Sequence, residues 1–387
     1  MPVASDNRKI LLVTNDLGPR AGGIETFILG LLEKLDGSQI AIFTSSQEGD
    51  QAFDQKMEGK FGVKIYRDRA KVLLPTPRVV GEVKRVMRIH NSQIIWFGAA
   101  APLALMAANL RKAGAGRIVS LTHGHEVWWS KLPVFRQAMR HVGNSVDVLT
   151  YLGEYTKEAM EKAVGKNPKL IHIAPGISVN YFKPGEKPED LLAKFGISDR
   201  PTLISVGRLV HRKGQDKLIE AMPIIKREIP NALLLIVGSG PREAHLKSLI
   251  KKYSLENDVL LFGRVPYEEL PKYFLLGDVF AMPARSRLFG LEVEGLGIVY
   301  LEASACGLPV IAGRSGGAPD AVKISETGLV VNGTDINEIA NASIALLGDR
   351  GRAKEYGANG RAWVVEKWNW DNWGEKFRKV LDGVLES

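Results

Sequence analysis

The sequence predicts an α/β protein of two doubly wound parallel-sheet domains, on three observations. Short apolar runs alternate with helical patterns along the whole chain. A Pro- and Gly-rich stretch without periodicity, Pro175 to Pro188, interrupts that alternation near its middle. The length, 387 residues, exceeds one ordinary core and suits two domains of about 150–200 residues. Alternating strands and helices argue for mostly parallel sheets covered by helices on both faces.

The elements follow in order. Ile10–Thr14 is an apolar run bounded by polar residues, then come the Gly18–Gly23 turn and a helical pattern over Ile24–Leu35. Strand, Gly-rich turn and helix open a dinucleotide-fold-like unit. Further strands are expected at Ile40–Phe43, Val63–Tyr66, Ile94–Trp96, Arg117–Leu121, Val146–Tyr151 and Ile171–Ala174, with a helix over Pro102–Lys112. After the break the pattern restarts. Strands are expected at Thr202–Val206, Ala232–Val237, Val259–Phe262, Val279–Met282, Val310–Ala312 and Gly328–Val331. Helices are expected at Gln215–Glu228, Glu243–Tyr253, Leu270–Leu275, Ile298–Ala305 and from Ile336 onward. The domains are expected at residues 1–181 and 182–365. Residues 366–387 are expected to form a helix returning to the first domain, with the aromatic-rich Trp363–Trp373 segment bracing it.

Composition narrows the class. The chain is 45% hydrophobic and 25% charged, as in a water-soluble globular protein. No stretch reaches the about 20 apolar residues of a membrane span, and Met1–Lys9 lacks the apolar core of a signal peptide. The one cysteine, Cys306, excludes an internal disulfide framework and suits a reducing cytoplasm. Its neighbours, Ala303 to Pro309, read as the end of a packed helix, so a buried structural thiol is expected rather than a nucleophile. The formal charge of +9 is uneven: residues 1–181 hold 24 Lys and Arg against 16 Asp and Glu, residues 182–387 hold 28 against 27. The first half should meet an anionic partner. Nucleic acid is not the expected one, because no helix-turn-helix, zinc spacing or aromatic-basic sheet motif accompanies the charge.

Four motifs carry candidate chemistry. Glu294 and Glu302 flank seven residues, the first in a Gly-rich loop and the second inside the helix that follows. A helix N-terminus presents free N–H groups to phosphate, and Gly295 and Gly297 let the backbone approach a ligand. The same spacing also fits two surface glutamates. Gly207 to Gly214 follows the Thr202–Val206 strand, where such folds bind ligands; Arg208 and Lys213 could neutralise a diphosphate, or the loop could be a solvated basic one. The glycines of the Gly18–Gly23 turn could admit a ligand or serve only the turn. His123 and His125 lie in a polar cluster, Thr122 to Glu126, after the Arg117–Leu121 strand. Two histidines two residues apart, with no cysteine close by, do not make a zinc site, and no paired-aspartate motif is present. No protein-bound metal is expected.

Taken in order, these motifs resemble glycosyltransferase family 4, of the GT-B fold, over nearly the whole chain. The resemblance implies two Rossmann-like domains with the active site in the cleft between them and a hinge near residue 180. It implies that Gly22 and Gly23 line the donor site and that His123 contacts the transferred sugar. Arg208 and Lys213 would grip the diphosphate, Glu294 the sugar and Glu302 the ribose. Backbone N–H groups of Leu296, Gly297 and Ile298 would touch sugar and phosphate, and Val265 would lie against the base. No nucleophile stands out, so a retaining same-face reaction is implied, the leaving diphosphate accepting the acceptor's proton.

A narrower resemblance, in Leu121–Trp129, Phe280–Arg285 and Leu291–Gly297, is to the actinobacterial phosphatidylinositol monomannoside mannosyltransferases. It implies GDP-mannose as donor, a mannosylated phosphatidylinositol as acceptor and an α-1,6-linked dimannoside as product. Another nucleotide sugar, such as a UDP-sugar, or another acceptor remains the alternative. The Arg285–Val293 loop, longer than in many family members, could shape acceptor or sugar choice. A peripheral position on the anionic inner face of the plasma membrane is the corresponding expectation. Pro77–Ile89 could supply it as an amphipathic helix, with Val79, Val83 and Val86 on one face and Arg78, Lys84, Arg85 and Arg88 charged. Val72 to Leu74, Trp128 and Trp129 could add apolar contacts. An ordinary helix with one face in the core and a basic solvated face fits the same pattern.

Overall fold

Each of the expected apolar runs contributes a strand, and every strand runs parallel to its neighbours. The computed structural model describes residues 8–20, 22–197 and 200–384. Ala21 of the Gly18–Gly23 turn and the polar residues Met1–Asn7 lie outside them. The chain divides into two compact units, Met1–Gly176 with Trp370–Ser387, and Ile177–Asn369.

The first unit holds β1 (Lys9–Val13), β2 (Ile40–Ser45), β3 (Lys64–Asp68), β4 (Ser92–Phe97), β5 (Arg117–Ser120), β6 (Val148–Tyr151) and β7 (Lys169–His172). Their order is β3-β2-β1-β4-β5-β6-β7. The sequence order of the strands reverses between β1 and β4, which opens a crevice at their carboxyl ends. Leu11, Val13, Ile95 and Phe97 fill the core on one side. The Trp370–Asp382 helix belongs to this unit: Phe377 meets the Trp96 ring at 4.9 Å and Trp373 meets His172 at 4.8 Å.

The second unit repeats the plan with β8 (Thr202–Val206), β9 (Leu233–Val237), β10 (Val259–Gly263), β11 (Val279–Met282), β12 (Val310–Gly313) and β13 (Gly328–Val331). The order β10-β9-β8-β11-β12-β13 places the reversal between β8 and β11. Its strands are continuous apolar runs, as expected of parallel strands buried on both faces. Cys306 is buried at the end of the Ile298–Ala305 helix, and desolvation pushes its thiol up to about 12.

The structure corrects the lipid-facing reading of Pro77–Ile89. The helix forms, over Pro77–His90, but Val79, Val80, Val83, Val86 and Met87 are buried in the first unit's core. The apolar stripe is therefore spent inside the protein. Arg78 is also engaged, in a two-pronged pair with Asp68. What faces solvent is Arg85, paired with Glu82 at 2.8 Å, and Arg88, with Ile89 at its end and Val72 and Leu74 before it. Trp128 and Trp129 are half-buried and pack on each other and on Phe135. No helix among the described residues is long and apolar enough to cross a membrane.

Candidate active site

In the second unit the candidate residues gather past the carboxyl ends of β8 and β11, at the reversal of strand order. After β8 the chain makes a short turn, His211–Lys213, closed by Gly214 at φ +79°. A Cβ on Gly214 would lie 2.1 Å from the Pro283 carbonyl oxygen. Only glycine lets this turn press on the chain leaving β11, and that approach seats Lys213. Gly214→Ala is expected to lower unfolding free energy by about 1–3 kcal/mol, the scale of a strained backbone position. An unchanged denaturation midpoint would show that the turn adapts.

Lys213 and Glu294 meet, though 81 positions apart by their numbers. Lys213 Nζ stands 2.9 Å from Glu294 Oε2, and Arg212 Nη1 donates to the same oxygen. Both Lys213 and Glu294 are buried. Burial alone would raise the Glu294 pKa; the two cations outweigh it and hold the group below its ordinary value. A carboxylate is thus fixed, charged, between two cations. Its backbone is held as well: Gly317 N–H donates to the Glu294 carbonyl at 2.9 Å.

Glu302 behaves in the opposite way. It is buried in the Ile298–Ala305 helix and no side-chain hydrogen bond reaches it among the described residues. Desolvation lifts its pKa to about 7, with Lys213 acting against the rise. The helix is braced by Tyr300, whose hydroxyl donates to the Met282 carbonyl at 2.7 Å at the end of β11. Gly297 caps it at φ +78°, where a Cβ would meet the Tyr300 ring at 2.4 Å. Leu296, Gly297 and Ile298 thereby stand at a helix start whose first N–H groups have no helical acceptor. Val265 is half-buried in the loop after β10. The Tyr267 phenol, two residues on, is raised by desolvation and, to a smaller extent, by the Glu302 charge. Arg208 is exposed and has no ion pair or side-chain hydrogen bond among the described residues.

Sequence reasoning did not single out Arg212 or the network behind it. Arg285 Nη2 donates to Asp216 Oδ2 at 2.7 Å and to His211 Nδ1 at 2.8 Å, and its backbone N–H donates to the Arg212 carbonyl at 2.8 Å. This clamp fixes the turn that carries Arg212 and Lys213. Arg212 could have been found from its place in the Gly207–Gly214 motif; the Arg285–Asp216 pair leaves no local signal.

In the first unit the candidates lie past β1, β4 and β5. His123 follows β5, and its Nε2–H donates to the Gly98 carbonyl at 2.5 Å. A carbonyl only accepts, so the proton is on Nε2 and Nδ1 keeps its lone pair. Burial lowers the His123 pKa, keeping the ring neutral. Phe27 packs edge-on against it at 5.5 Å, and the buried Glu126 accepts from its backbone N–H at 2.9 Å. Asp16, after β1, was missed by sequence reasoning. Burial raises its carboxyl, and the Glu126 charge adds to the rise. Gly22 starts the Gly23–Leu32 helix, its N–H donating to Glu25 at 3.0 Å. A Cβ on Gly22 or Gly23 would meet nothing within 4 Å, so packing inside this unit does not require either glycine. Among the described residues no group of three or more His, Cys, Asp or Glu side chains is placed to hold a metal ion.

The model for "Glycosyltransferase Family 4" matches residues 21–181, and that for "Glycosyl transferases group 1" matches residues 188–363. A Mycolicibacterium smegmatis protein is 42% identical, covering 98% of this chain and 99% of its own. It is named GDP-mannose-dependent alpha-(1-6)-phosphatidylinositol monomannoside mannosyltransferase. A Corynebacterium glutamicum protein, named for the monoacylated form of that acceptor, is 44% identical over 97% of this chain and 98% of its own. Among solved structures, sucrose-phosphate synthase from Thermosynechococcus elongatus matches with a TM-score of 0.78 at 23% identity, covering 97% of this chain and 99% of that one. Anabaena HepE in complex with UDP matches at 0.79 and 19%, covering 97% and 100%. At these identities the two structures speak for the fold alone.

Proposed function

The chain belongs to glycosyltransferase family 4, and we propose that it transfers mannose from GDP-mannose to phosphatidylinositol monomannoside, forming the α-1,6-linked dimannoside with retention of configuration. The observation that carries this reading is identity of 42–44% over almost the entire chain to relatives named for that reaction.

The geometry supports roles for the residues. Leaving of GDP builds charge on the diphosphate. Lys213, Arg208 and the backbone N–H groups of Leu296, Gly297 and Ile298, at the start of the helix, supply preorganised positive potential for it. Glu294, held ionised by Lys213 and Arg212, accepts hydrogen bonds from the mannose hydroxyls. Glu302 accepts from the ribose hydroxyls, with Val265 against the base. In the first unit, His123 turns its Nδ1 lone pair to the sugar, and Gly22 and Gly23 leave room for the donor. No step needs a protein nucleophile: the acceptor hydroxyl attacks on the face the diphosphate leaves, and a diphosphate oxygen takes its proton. A metal bound by the protein has no part in this scheme. The exposed Arg85 and Arg88, with Ile89, Val72 and Leu74, suit a peripheral approach to an anionic cytoplasmic membrane face.

The glycine pair gives a clean test of the donor site. Gly22→Ala and Gly23→Ala should leave the melting temperature unchanged, since both Cβ positions open onto space. They should lower kcat/KM for GDP-mannose at least about tenfold if a ligand needs that room. Unchanged kinetics would take both glycines out of the site. The anomeric proton signal of the purified product tests retention: a β-linked mannose would exclude the same-face reaction.

A further inference from the structure

A polar depression in the first unit lies at the opposite end of its strands from the candidate active site. It is a cavity of about 740 Å³ at the amino ends of β5, β6 and β7, where Arg117, Val148 and Lys169 line it. From Arg117 to His123 the chain spans about 20 Å at the usual strand rise. A molecule in this cavity therefore does not reach the residues past the carboxyl ends.

The lining is strongly one-signed. Arg111, Lys112, Arg117 and Lys169 face a single carboxylate, Asp147. That carboxylate is already engaged, with Oδ2 accepting from Arg111 Nη2 and from the Ile118 N–H, both at 2.6 Å. Arg111 is further tied to the Gly116 carbonyl at 2.7 Å. Lys112 and Lys169 are exposed and carry no ion pair among the described residues. Arg117 is held by Nε donating to the Val380 carbonyl at 2.8 Å, yet its Nη2 is buried with no hydrogen-bond acceptor among the described residues. Buried N–H groups are rarely left so. Burial first, with Arg8 and Arg111 adding to it, lowers the Arg117 pKa against the pull of Asp147 and Asp382.

We propose that this cavity binds a small soluble phosphate ester of sugar-phosphate size, its phosphate taken by the edge of the Arg117 guanidinium that lines the cavity and by the Lys112 and Lys169 ammonium groups. A phosphate dianion supplies acceptors to a guanidinium and neutralises the surplus charge. The volume falls within the range of small-ligand sites, roughly 300–1,000 Å³, and exceeds what a bare ion needs.

The test is calorimetric titration of the full-length chain with glucose 6-phosphate at fixed ionic strength. Saturating GDP is present throughout, so that the donor site is occupied. Saturable binding is expected for glucose 6-phosphate and none for glucose. The double variant K112E/K169E, altered at two exposed positions, should weaken it at least about tenfold by reversing two charges, with GDP affinity unchanged. Absence of saturable binding, or equal binding by the variant, would overturn the proposal. Binding only to phosphatidylglycerol vesicles, lost in the variant, would also overturn it, assigning the cavity to a lipid headgroup instead.

Discussion

Lys213→Ala is expected to reduce turnover at least tenfold, and about 10²–10³-fold if Lys213 acts on the charge that develops in the transition state. Two effects combine. The diphosphate loses a cation that the Gly214 turn holds rigidly in place, so no compensating side chain can swing in. Glu294 also loses one of the two groups that keep it ionised, though Arg212 still donates to it. The fold should survive for that reason: the buried carboxylate is left paired, and the larger penalty for an unpaired buried charge does not arise. Single-turnover rates with GDP-mannose, beside a thermal melt, separate the two effects. A normal rate with a normal melt would remove Lys213 from the chemistry.

Glu302→Gln is expected to make the protein more stable and its donor binding worse. The Glu302 pKa is raised from 4.5 to about 7, first by burial. An acid raised in the folded state favours the fold in its neutral form. That advantage is complete below the unfolded value and is lost as pH rises through about 7. Above that, ionised Glu302 costs roughly 3 kcal/mol. Gln carries no such cost. Chemical denaturation should therefore show Glu302→Gln more stable at pH 8, with the difference vanishing near pH 4. The same change removes a charged acceptor for two ribose hydroxyls. KM for GDP-mannose should rise about 10–100-fold, the worth of hydrogen bonds to a charged group. In the unsubstituted enzyme, KM should rise as pH falls below 7, where Glu302 takes up its proton. Equal stability of the two proteins at pH 8 would mean that Glu302 is better solvated than its burial implies.

The strands were legible because parallel strands buried on both faces are short, unbroken apolar runs. One was displaced: Ile171–Ala174 was expected and Lys169–His172 forms. Ile173 and Ala174 are fully buried after the strand has ended, and burial alone does not mark where pairing stops. The Asp50–Phe61 helix gave little signal because only Met57 of it is buried. The Pro77–His90 stripe misled because a helix packing on a sheet and one lying on a lipid surface need the same periodicity. At the site, residues fixed by local glycines were legible: Lys213 before Gly214, and Glu294 and Glu302 around Gly297. Residues fixed by tertiary pairing were not. Arg285 finds Asp216 69 positions away, and Asp16 comes within electrostatic reach of the His123 loop only because β1 and β5 end on one rim of the sheet.

The central claim is the reaction itself. It is tested most directly by giving the purified protein radiolabelled GDP-mannose with phosphatidylinositol monomannoside, beside parallel reactions with phosphatidylinositol and with a labelled UDP-sugar. The account predicts a labelled dimannoside from the monomannoside alone. Label on phosphatidylinositol itself would make this the enzyme of the preceding step, and turnover of only the UDP-sugar would contradict the assignment of donor and acceptor together.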